Sequence, residues 1–71
     1  MNRSDAEALV APYVVAVNQY HAVSHDAARK LLGDEAFGAL LRDRIRGLGP
    51  TNDTLYPWNV ADAVQLAAEK A

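Results

Sequence analysis

Hydrophobic positions recur at helical spacing along most of the chain, and the breaks fall where helix-ending residues stand. In the first segment, Leu9, Tyr13, Ala16, Val17 and Tyr20 lie on one face of a helical wheel. Ser4 followed by Glu7 has the capping-box pattern, and Asp5 and Glu7 suit the positive end of a helix dipole, so a helix is expected from Asp5. Pro12 lacks a backbone donor and should kink or split it. The β-branched run "YVVAV" also fits a strand, and the kinked helix is the reading preferred here.

"VSHDAARKLLG" is a clearer unit. Ser24 is a good N-cap, Asp26 lies in the first turn, and Ala27, Ala28, Leu31 and Leu32 supply an apolar face. Gly33 can take the backbone conformation that ends a helix. "DEAFGALLRDRIRGLGP" then opens with acidic residues, keeps helical period and closes on Gly47, Gly49 and Pro50. Two helices joined by so tight a turn form a helix-turn-helix. "TNDT" is turn chemistry, and "LYPW" is extended because Tyr56 precedes a proline. Asn59 is expected to cap a last helix from Val60 towards Lys70, and Leu48 is expected to pair with "TLYPW" as a short two-stranded wing.

The expected fold is therefore mainly α. It is one small helix-turn-helix domain over 1–71, with a helical extension at 1–19, a winged core at 20–71 and the short wing within it. Seventy-one residues lie near the lower size at which one apolar core suffices without cross-links, and 51% hydrophobic residues supply that core. The absence of cysteine excludes a disulfide framework, a thiolate zinc site and a cysteine nucleophile, and it suits a reducing cytoplasm. The longest apolar run, Val14 to Val17, is far too short to span a bilayer, and no membrane partner is expected. A net charge of −2 argues against binding a polyanion by bulk charge, so a basic site has to be a local patch.

Such a patch is offered by "LLRDRIR". With Phe37 as the wheel reference, Leu40, Leu41, Arg44, Ile45 and Leu48 cluster around it, while Ala39, Arg42, Asp43 and Arg46 lie opposite. Arg42 and Arg46 stand one turn apart beside small Gly38 and Ala39, which would let the helix backbone approach another surface. In the functional reading they contact phosphates or base edges from a helix in the DNA major groove. In the plain one they form a solvated face paired with Asp43 or Asp34. Arg44 points towards the apolar stripe, where its role is structural.

Other candidate chemistry is sparse. His21 and His25 are spaced to share a helix face, but Ala22 stands where a zinc-protease motif needs glutamate, and Ser24 should start a new helix between them. No metal or other cofactor is expected. Tyr56 and Trp58 could stack on a base, although an aromatic pair after a turn more often belongs to the core.

The order "YHAVSHDAARKLLG", "FGALLRDRIRGLGP", "LYPWNVADAVQLA" resembles the small winged-helix DNA-binding domains of the excisionase and MerR-like group. Tyr20, Ser24, Ala27, Ala28, Leu32, Gly33, Gly47, Tyr56, Asp62 and Val64 carry the resemblance, which runs from Tyr20 to Ala68. It implies a non-enzymatic DNA-binding protein, either a transcriptional regulator or a recombination directionality factor working beside an integrase. Its contacts would come from Arg29, Lys30, Ala39, Arg42 and Arg46. Departures from the pattern are Asp34 and Glu35 at the start of the recognition helix, one extra residue before "LLG", and a wing without arginine. The second reading is an acidic helical adaptor or inhibitor of a protein partner. The N-terminal face either packs on the core or forms a homodimer seam, and core packing is expected because so small a domain has little else to bury.

Overall fold

In a computed structural model, the described residues form four helices and one β-hairpin. The structure describes residues 1–17, 20–48 and 54–70, and of 17, 20 and 44–48 it describes the backbone alone. Helix α1 spans Arg3–Val10, a single 3₁₀ turn Ala11–Tyr13, strand β1 Val14–Val17 and strand β2 Tyr20–Val23. Helices α2 (His25–Leu32), α3 (Asp34–Leu48) and α4 (Pro57–Lys70) follow. The chain is thus mainly helical with a two-stranded antiparallel sheet.

The expected kinked helix through Tyr20 is replaced by a helix, a tight turn and a strand. Pro12 cannot donate the next intrahelical bond, so the chain tightens into the 3₁₀ turn after Val10. The β-branched residues that follow then favour extended backbone over helix. The start is also earlier than Ser4 suggested. Asn2 is the N-cap, and its Oδ1 accepts the Asp5 N–H at 2.8 Å. On α1 the buried residues are Ala6 and Val10, while Leu9 and Tyr13 of the expected face stay exposed. The N-terminal segment does pack on the core, through a different face.

Helix α4 is the hub, touching α1, α2, α3 and β2. Val60, Ala61 and Val64 form its buried stripe, and they meet Ala6 and Val10 of α1, Ala28 of α2, Phe37 of α3, Val23 of β2 and Leu55. The helix begins at Pro57 rather than Val60. Proline is at home in a first helical position because its missing N–H needs no partner there. Asn59 caps the start in a way the sequence did not suggest, its Oδ1 reaching back to accept the Tyr56 N–H at 3.1 Å.

The expected wing pairing also differs. Leu48 ends α3, and Leu55 bridges Val23 instead, accepting its N–H at 2.8 Å. The turn residues 49–53 lie outside the described residues. In the hairpin, Val14 pairs with Val23 and Val17 with Tyr20.

Candidate nucleic-acid interface

The local signals around α2 and α3 act as their residue types require. Ser24 Oγ accepts the Ala27 N–H at 3.2 Å and fixes the start of α2. Gly33 alone separates the two helices, at φ 83° and ψ 164°. That backbone region is open essentially to glycine only, so this one residue permits the turn. Its N–H donates to the Arg29 carbonyl at 2.7 Å, and its carbonyl accepts the Phe37 N–H at 3.0 Å.

Phe37 is the pivot of the pair. It is buried from α3, with the His25 ring set edge-on at 5.8 Å and the Arg29 guanidinium over its face at 5.3 Å. His25 and Arg29 stand one turn apart on α2, so both reach the same ring. A cation over an aromatic face is attracted by the ring quadrupole, and Arg29 Nε also lies 3.9 Å from Asp34 Oδ1. Arg29 therefore helps join α2 to α3 while keeping more than half of its side chain in solvent.

The other site residues are placed as follows. Lys30 is exposed in the last turn of α2, Arg42 is exposed on α3, and Ala39 is half-buried. A Cβ built on Gly38 would sit 3.5 Å from Arg42 Nη1, so the guanidinium folds back over the small residue one turn earlier. Arg46 and Arg44 belong to α3 by their backbone, and their side chains lie outside the described residues. Asp34, Glu35 and Asp43 are exposed among these cations, so positive charge on α2 and α3 is interrupted by carboxylates.

Of two further expectations, the separation of the histidines stands and the core position of Trp58 changes. His21 is on β2 and His25 opens α2, so they do not share a helix face. Among the described residues no three His, Cys, Asp or Glu side chains converge as a metal set. Trp58, expected in the core, is 55% exposed and stacks on Tyr56 with centroids 4.6 Å apart and the rings 4° from parallel. It forms one wall of an open groove of about 610 Å³ whose other walls are Val10, Val14 and Pro57, with Glu7 and His21 as its polar points. The signal for this was Pro57. A helix begun there places Trp58 in its first turn, on the side away from Val60 and Val64.

Comparison with protein-family models, curated proteins and solved structures finds no match to this chain. Among the described residues no helix is long and apolar enough to cross a membrane.

Proposed function

We propose that α2 and α3 act as a helix-turn-helix that presents α3 to the DNA major groove, in a small non-enzymatic regulator or recombination directionality factor. The observation that carries this reading is the joint itself. Two helices meet at one positive-φ glycine, their angle fixed by Phe37 between His25 and Arg29. Further support comes from β2 before the pair and Leu55 after it, which bridge to each other and frame the two helices, although not in the wing pairing expected of Leu48. Lys30 and Arg42 are exposed cations on the two helices, and each suits a phosphate or a base edge. Arg29 would contact phosphate from a side chain already ordered by Phe37, Ala39 would allow close approach, and Arg46 would extend the contacts towards the end of α3.

The test is an anisotropy titration against DNA from the chain's own genomic neighbourhood. Arg42→Ala is expected to weaken binding by about 1–3 kcal/mol if it reads a base, and to leave the melting temperature unchanged because the side chain is exposed. Equal affinity of the variant and the parent chain would remove Arg42 from the interface.

A second reading is favoured by one observation, the acidic opening of α3. Asp34 is almost fully exposed and Glu35 is exposed, where a DNA-binding helix meets phosphate. An adaptor that engages a basic protein partner through this end would use those charges.

A further inference from the structure

We propose that β1 is a self-pairing edge through which two copies of the chain join into one continuous antiparallel sheet, with Val15 at the two-fold axis. In an antiparallel ladder, successive residues point their N–H and C=O alternately towards and away from the partner strand. Val23 donates its N–H to Leu55, and Val14 donates its N–H to the Ala11 carbonyl of the 3₁₀ turn. The Val14–Val23 pair thus points its backbone groups away from the β1–β2 ladder, and Val15–Ala22 points inward. It follows that the outer edge of β1 carries the C=O of Val14 and the N–H and C=O of Ala16. Among the described residues the sheet has two strands, and β1 is terminal on that side.

Those open groups are complementary to themselves. When a second copy runs antiparallel with Val15 opposite Val15, the Ala16 N–H of each copy meets the Val14 C=O of the other. Two symmetric hydrogen bonds form, and both apolar faces remain on the same side of the sheet. The side chains agree with the backbone. Val15 is 51% exposed although β-branched, and in the pairing it would be covered by its own counterpart.

Charge points to a second copy as the occupant. Natural edge strands are shielded by lysine, inward charges or covering elements, and from Ala11 to Tyr20 this chain has no charged residue. Two copies of a chain with net charge −2 carry like net charge, and this uncharged edge lets them approach without setting charged side chains against each other. The opposite edge of the hairpin is less available because Leu55 already occupies Val23. A two-stranded hairpin is also marginal by itself, and four strands give it the partners it lacks.

The test uses sedimentation equilibrium of the intact protein up to about 1 mM, where even a weak interface fills. The expected mass rises with concentration towards twice 7.7 kDa. Val15→Asp is expected to hold the chain at the single mass with an unchanged circular dichroism spectrum. Leu66→Asp, at an equally exposed site on α4, is expected to dimerise like the parent. The chain has no cysteine, so Val15→Cys introduces a single thiol. Directly opposed residues at such a position lie about 4.5 Å apart between Cα atoms, within reach of a disulfide. Oxidation should link Val15→Cys copies in high yield and Leu66→Cys copies only slightly. A single mass throughout the range overturns the proposal, as does dimerisation abolished by Leu66→Asp but not by Val15→Asp, or equal cross-linking at both sites.

Discussion

The guanidinium of Arg3 binds the carboxylate of Asp62, fastening the first helix to the last across 59 positions of sequence. The same side chain bonds Glu7 Oε1 at 3.1 Å, Gln65 Oε1 at 3.3 Å and the Trp58 carbonyl at 3.3 Å. Its hydrogen bonds, with Asp62 first and Glu7 second, raise its pKa above the usual arginine value, so it stays charged at any working pH. Asp62→Asn and Arg3→Met should each lower the melting temperature, and the double variant should lose less than the sum. The deficit should shrink in about 1 M salt, where exposed charges are screened. Calorimetric melting of the four proteins at two salt concentrations checks this, and strict additivity would mean that the pair contributes nothing.

Leu55 is 1% exposed and also carries the backbone bridge to Val23. Leu55→Ala should cost about 2–5 kcal/mol, comparable to the whole stability expected of so small a core. Urea titration followed by circular dichroism should find the variant largely unfolded. A loss below about 1 kcal/mol would place Leu55 outside the core.

Legibility in the sequence followed the locality of the signal. Ser24 and Gly33 act within one turn of themselves, so the limits of α2 could be read directly. "YVVAV" could not, because its apolar residues fit both a helical stripe and a strand, and the bridge from Val23 to distant Leu55 that supports the hairpin lies outside any local pattern. Trp58 was misplaced for a similar reason. Taking Asn59 as the cap set the start of α4 three residues late and left Trp58 in the extended segment before it, where an aromatic pair was expected to join the core. Arg29 was read as a site residue from its charge, while its place over Phe37 depends on how two helices cross.

Gly33 has open space where a side chain would go, with nothing within 4 Å of a built Cβ. Gly33→Ala should nevertheless destabilise by about 1–3 kcal/mol, since the penalty arises in the backbone at φ 83° and not from a clash. Chemical denaturation measures it directly. A neutral result would mean that the joint between α2 and α3 relaxes to another conformation.

Trp58 is the chain's single tryptophan, and its exposure makes it a reporter. Native protein should emit at the long wavelength of a solvated indole, be readily quenched by acrylamide and shift little on unfolding. Emission typical of a buried indole would contradict the stacked, exposed Tyr56–Trp58 pair.

The proposed role of α2 and α3 stands or falls on the salt dependence of DNA binding. With three or four cations from Arg29, Lys30, Arg42 and Arg46 displacing counterions, affinity should fall roughly 40- to 150-fold between about 50 and 200 mM salt. A measured slope of log affinity against log salt near −3 is the expected result. Binding that does not respond to salt, or no binding at about 50 mM, would contradict a DNA-binding function for this chain.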